Sequence, residues 1–321
     1  MEFKDKQSKE KEQEQTKLIN LNNQIRNTKS NLILKIVFSF IHKRKSLEII
    51  KYNKSIQNRI NININNYKEY SEKYSSIEIE IIPMKIKSYK LIYIKEEEEY
   101  YHIYLNDNKE EIKNNSSVDL NDIVSKINII IDYHVTSFYE LFYECKYIES
   151  INFKKFYRNN ITNIGWMFYN CESLKELNLN NFNTDNVTDM NHMFCGCSSL
   201  KELNLNKFNT DNVTDMNHLF CGCSSLKELN LNNFKTNNVT NMEGMFFGCF
   251  SLTKLNINNL NTNNVTNMSY MFFECYSLKE LNLNNFNINK IYVRCMFTGC
   301  SDELKLKIKN KFKNLNENAF L

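Results

Sequence analysis

A 26-residue period fixes what this chain can become. The segment LKELNLNNFNTDNVTDMNHMFCGCSS begins at Leu174 and recurs from Leu200, Leu226, Leu252 and Leu278. Equivalent side chains return at one register: Leu177, Leu203, Leu229, Leu255 and Leu281, or Met190, Met216, Met242 and Met268. A unit this short cannot enclose its own apolar side, so the copies must stack and share a core. Extended backwards, the lattice takes in Ile148, Ile151, Phe153 and Phe168, and before them Val135, Phe138 and Phe142. The array is therefore predicted over 135–303.

Within a unit, Leu177 and Leu179 alternate with Glu176, Asn178 and Asn180, the period of a strand with one buried face. The following NTDNVT reads as a turn, because Asn, Asp and Thr side chains bond nearby backbone. Val187, Met190, Met193, Phe194 and Cys197 then fall at spacings of three and four, which predicts a short helical turn ended by Gly196 or its equivalents. The expected fold class is an α/β repeat: a leucine-rich-repeat-like solenoid with one short strand and one short helical turn per coil, preceded by a small helical and β N-terminal region.

The flanks differ in kind. Residues 1–30 are charged and aperiodic, and are expected to be a mobile tail. Residues 31–76 are expected to be helical, with one apolar stripe of Ile33, Ile36, Val37, Phe40 and Ile41 and a second of Ile49, Tyr52, Ile56 and Ile60. The basic HKRK at 42–45 joins the two stripes. The alternations IEIEII, KLIYI and YHIYL predict a small β-containing capping region over 77–134, with the run Glu96 to Glu99 as a solvated connection. Residues 304–321 are expected to be a capping helix, apolar at Leu304, Ile308, Phe312 and Leu315 and lysine-rich behind.

The unit LxxLNLNNFNTxNVTxMxxMFxGCxSL resembles the BspA-like leucine-rich-repeat surface-protein family over 135–303. That resemblance implies a curved or twisted solenoid and, in bacterial surface members, adhesion to host proteins or other cells. Ordinary leucine-rich repeats carry Asn or Cys three residues after the last leucine of the strand. Here Phe182, Phe208, Phe234 and Phe286 stand there, with Leu260 in the remaining copy, so an aromatic stack is expected in place of an Asn ladder. The string NLILKIVFSFI, from Asn31, resembles the opening helix of an F-box, without the Pro that would mark its start.

The 41 basic and 37 acidic residues are mixed along the chain, so no single-sign field would draw in nucleic acid. The charged N-terminus lacks a signal-peptide core. The run Leu32 to Ile41 is broken by Lys35 and is far shorter than the roughly 20 residues of a membrane span. A cytoplasmic protein is expected, with the cell surface by a non-standard route as the alternative. No HExxH, GxSxG or phosphate-cradling loop occurs, and six glycines leave little room for one. Neither catalysis nor a cofactor is expected. The leading reading is a protein-interaction scaffold. A BspA-like surface adhesin and an F-box-like ubiquitin-ligase adaptor are the alternatives.

Partner contacts are expected on the outward strand positions: Glu176, Asn178, Glu202, Asn204, Glu228, Asn230, Lys254, Asn256, Glu280 and Asn282. These barely vary, which suits repetitive contact. A second choice is the more variable edge carrying Tyr270 and Tyr276. Seven cysteines share one lattice row, Cys145, Cys171, Cys197, Cys223, Cys249, Cys275 and Cys300, and are expected to pack as small apolar side chains. No metal is expected. The alternative is zinc held by His192, Cys195, His218 and Cys221, since HMFCGC and HLFCGC offer two His and two Cys from neighbouring coils. The NVT sequons at Asn186, Asn212, Asn238 and Asn264 are expected to bond turn backbone, with glycosylation as the alternative in a secreted protein.

Overall fold

The computed structural model describes residues 30–40, 53–61, 64–85, 88–89, 92–94, 98–108, 110–112, 118–119, 124–288 and 291–321. The tail at 1–29, the HKRK segment and Glu96 and Glu97 lie outside the described residues. The chain divides into two compact units, Met1–Tyr74 and Ser75–Leu321.

The first unit holds α1 (Asn31–Phe40), α2 (Lys54–Ile60) and α3 (Ile64–Tyr74). Asn53 caps α2 by accepting from the Ile56 amide at 3.1 Å, and Asn61 ends it in the left-handed conformation. Leu34 and Ile56 are buried, whereas Ile33 and Ile36 are 53% and 48% exposed. Ile33 and Ile36 of the expected stripe are therefore not on the inward face of α1, and the Val37, Phe40 and Ile41 side chains lie outside the described residues. Ile36 lies about 200° around the helix from Leu34, so both cannot turn inward.

The second unit opens with strands β1 (Ile77–Pro83), β2 (Ser88–Tyr89), β3 (Tyr101–Leu105), β4 (Glu111–Ile112), β5 (Val118–Asp119) and β6 (Ile127–Ile131). The repeats contribute β7 (Ile148–Lys155), β8 (Glu176–Asn178), β9 (Glu228–Asn230) and β10 (Lys254–Asn256), and α4 (Asp302–Lys311) follows. The main sheet runs β4-β3-β6-β1-β7-β8, antiparallel as far as β7 and parallel from β7 to β8. The IEIEI alternation buries Ile77, Ile79 and Ile81 on one face. Because β1 pairs directly with β7, the expected boundary at 134 divides neither the sheet nor the core, which runs from Ile77 to Ala319.

The repeats stack in register. Parallel bridges join Ser137 to Asn163, Asp189, Asp215, Asn241, Asn267 and Tyr292 in succession, and β9 pairs with β10 at Leu229↔Leu255. Not every repeat forms a paired strand: 202–204 and 280–282 keep the exposure alternation without one.

The expected helical turn is the clearest difference. Among the described repeat residues no α-helix lies between β7 and α4. Alternate amides leave the repeat for the next one: Trp166 donates to Asn191 O, Phe168 to Met193 O and Asn170 to Cys195 O, at 2.7–2.9 Å. The intervening amides close i→i−3 turns, Tyr169 to Trp166 O and Cys171 to Phe168 O. This needs two left-handed residues four apart in each repeat, such as Trp166 and Asn170, His192 and Gly196, or Tyr270 and Glu274. A Cβ on Gly196, at φ 76°, would stand 2.1 Å from Asn170 Oδ1. Spacings of three and four suit a helix face, but they suit this chain of turns equally.

Side-chain columns fill the core. Phe142, Phe168, Phe194, Phe220, Phe246, Phe272 and Phe297 stack at centroid spacings of 5.5–5.7 Å. Phe182, Phe208 and Phe234 form the shorter stack that the sequence led us to expect, at 5.8 and 6.5 Å. At the C-terminal end the next rung is supplied by a different segment. Cys295 and Phe297 donate to Asn318 O and Ala319 O at 2.7 Å, and Phe320 covers the Phe297 ring. Leu304 and Ile308 of α4 are buried against the stack.

Candidate functional site: the strand-face groove

The strand face of the stack forms a groove of about 1340 Å³ across four successive repeats. Leu203, Leu229, Leu255 and Leu281 make its floor, and α4 closes one end with Leu304, Lys307 and Lys311. The leucines pack partly into the core, with Leu255 and Leu281 less covered than Leu203 and Leu229. The floor is thus a narrow apolar line between two polar rows.

One polar row carries charge. Lys254 pairs with Glu228. Lys307 sits 2.8 Å from Glu303 and 3.4 Å from Glu280. Its ammonium holds the Glu303 carboxyl below the usual carboxylate range, and the carboxylates raise Lys307 in return. These pairs are exposed and screened by solvent, so they add little to stability.

The other row is asparagine. Asn204, Asn230 and Asn256 accept from the amides of Asn206, Asn232 and Asn258 at 3.1–3.3 Å, and Asn178 and Asn282 do the same for Asn180 and Asn284. Each Oδ1 is thereby turned back onto its own chain in an Asx turn.

Of the outward strand positions, Glu202, Asn204, Glu228, Asn230, Lys254, Asn256, Glu280 and Asn282 line the groove. Glu176 and Asn178 are exposed on β8 beyond its lining. Tyr270 and Tyr276 lie outside it as well. Tyr276 is 51% exposed and stacks on Phe250 at 5.4 Å, while Tyr270 meets Phe273 edge-on at 5.8 Å. Lys201, Lys227, Lys279, Lys307 and Lys311, none of them among the expected contacts, also line the groove. The first three stand one residue before the flagged Glu in each LKEL, a visible signal. The α4 lysines become relevant only once the helix is folded against the end of the groove.

The four His and Cys residues form a different arrangement from a tetrahedral site. His192 stacks on Trp166 at 3.9 Å and on His218 at 4.7 Å, with rings within 11° of parallel. Burial and the neighbouring His218 push the His192 imidazole down to about 4. The neighbouring Cys195 and Cys221 thiols act on each other, which lifts Cys195 and lowers Cys221. Among the described residues no three or more His, Cys, Asp or Glu side chains converge in a way that could hold a metal ion.

The seven-cysteine row is buried. From Cys171 onward each thiol donates at 3.1–3.2 Å to a Phe carbonyl of the preceding repeat, as Cys249 does to Phe220 O. Burial raises the Cys197, Cys223, Cys249, Cys275 and Cys300 thiols, Cys300 to about 12. The sequon asparagines donate to a carbonyl of the previous repeat, Asn186 to Asn159 O and Asn238 to Asp211 O at 2.7 Å. No described helix is long and apolar enough to cross a membrane.

Comparison with known proteins supplies a family. The family described as "Mycoplasma protein of unknown function, DUF285" matches residues 136–230 and 220–317. No curated protein matches the chain. A solved leucine-rich repeat protein from Eubacterium ventriosum is similar at 21% identity and a TM-score of 0.31, over 44% of this chain. This chain spans 40% of the length of that one.

Proposed function

This chain belongs to the DUF285 family of Mycoplasma proteins of unknown function, and from that premise we propose that it is a non-enzymatic protein-interaction scaffold. In this reading the repeats form a solenoid of the BspA-like leucine-rich-repeat type, and the strand-face groove receives the partner. One observation carries it: a groove of about 1340 Å³ continues across four repeats and is closed by α4. A continuous strand face is the extended contact surface of repeat proteins. The β strands of 77–134 and the C-terminal segment serve as caps, since terminal units of a stack need a surface that ends it.

Site-specific photocrosslinking in the source cell tests this. A crosslinker at Asn230, within the groove, is expected to give protein adducts that one at Asn238, on the exposed turn, does not. Adducts confined to the Asn238 position would contradict the reading. So would none from either site.

A further inference from the structure

The chemistry presented in the groove is one-sided. The Oδ1 atoms of Asn204, Asn230 and Asn256 are held in Asx turns, so what these side chains offer outward is their amide N–H groups. Lys201 and Lys227 are exposed, and neither is joined to a carboxylate among the described residues. Two of the three lining glutamates are already taken, Glu228 by Lys254 and Glu280 by Lys307. Six lysines against three glutamates line the groove, which leaves it an excess of positive charge and of donors. A ligand complementary to it brings acceptors and negative charge.

The uniformity of the face adds a second constraint. The same donor returns at Asn204, Asn230 and Asn256, about 4.8 Å apart, so the row can read only something that itself recurs. Three residues of extended chain cover about 9.9 Å, close to two rungs at about 9.6 Å. The partly exposed Leu255 and Leu281 of the floor give aliphatic side-chain stems a place to lie.

We propose that the groove binds an extended acidic peptide, a run of Asp or Glu about five or six residues long, laid across the repeats from Lys201 towards Lys311. Lys201, Lys227 and Lys279 pair with its carboxylates, and the Asn amides donate to its carboxylate and main-chain oxygens. This rests on the reading of the groove as a partner site and specifies the partner.

Fluorescence anisotropy on the full chain tests it, with labelled hexaglutamate, hexaglutamine and an oligothymidylate of six nucleotides as probes. Hexaglutamate is expected to bind at least tenfold more tightly than either, and to weaken as salt rises. Joint Lys227→Gln and Lys279→Gln substitution is expected to weaken it at least tenfold. Lys235→Gln, which removes an ammonium paired with Asp211 outside the groove, is expected to leave it unchanged. All three lysines are exposed, so the variants stay folded, and a matching far-ultraviolet spectrum checks this. Equal affinity for hexaglutamine overturns the proposal, as does tighter binding of the nucleotide or indifference to the groove lysines. If crosslinks at Asn230 persist in that case, only the acidic partner fails and the scaffold reading stands.

Discussion

Thr236 and Thr240 lie four residues apart in one turn and hold very different things. Thr236 is buried; its hydroxyl donates to Asn261 O at 2.7 Å and accepts from Asn261 N at 2.8 Å. Thr240 is exposed, and its hydroxyl makes one bond, donating to Thr214 O at 3.3 Å. Thr184 and Thr210 repeat the first pattern, so a buried threonine ladder ties each repeat to the next. Thr236→Val keeps the shape but strands an amide and a carbonyl, and is expected to cost about 1–3 kcal/mol in urea unfolding. Thr240→Val is expected to stay within about 0.5 kcal/mol; equal effects would remove the ladder from the account. Periodicity could not separate the two, because both threonines recur every 26 residues. Only burial distinguishes them.

The His192 ring makes a second residue-scale prediction. Its imidazole lies at about 4 when folded, against an ordinary 6.5. Below 6.5 the unfolded chain takes up a proton that the folded chain refuses, so stability falls from pH 6.5 down to about 4 and levels off beneath it. Above 6.5 nothing is lost. His192→Phe keeps a ring between Trp166 and His218, and its unfolding free energy is expected to depend less steeply on pH than the parent's across that window. Identical slopes would show that His192 carries no part of it.

At the scale of the element, the lattice of leucines, valines and methionines and the strand alternation were legible because burial repeats with the sequence. The turn ladder was not. Its mark is the pair of left-handed positions four apart, and Trp166, His192, Tyr270 and Glu274 occupy them as well as glycine does, which hides the pattern from composition. The groove was half legible. The outward Glu and Asn rows follow from alternation, whereas the closing lysines of α4 depend on tertiary packing. Because each repeat bonds only to its neighbours, deleting 226–251, one full period, is expected to leave a cooperatively folding chain with a smaller urea m-value. Deleting 226–238 breaks the register of every column beyond it and is expected to abolish the cooperative transition. Comparable transitions for the two deletions would argue against stacking in register.

For the whole molecule, the ends matter as much as the middle. Without residues 301–321, the amides of Cys295 and Phe297 lose their partners and the Phe column ends bare. Such a truncation is expected to associate at concentrations where the full chain sediments as one species, because an open stack end is a template for another chain. Stacking in register itself is tested most directly by distance measurement. Spin labels on unnatural amino acids, one fixed at Glu176 and the other moved from Glu228 to Lys254 to Glu280, give three pulsed-dipolar distances. Each step advances the second label by one repeat of 26 residues, so the mean distance is expected to grow by about 4.8 Å per step, with narrow distributions. Distances that stay constant, or that scatter without a common increment, would contradict a stack of repeats and the groove built upon it.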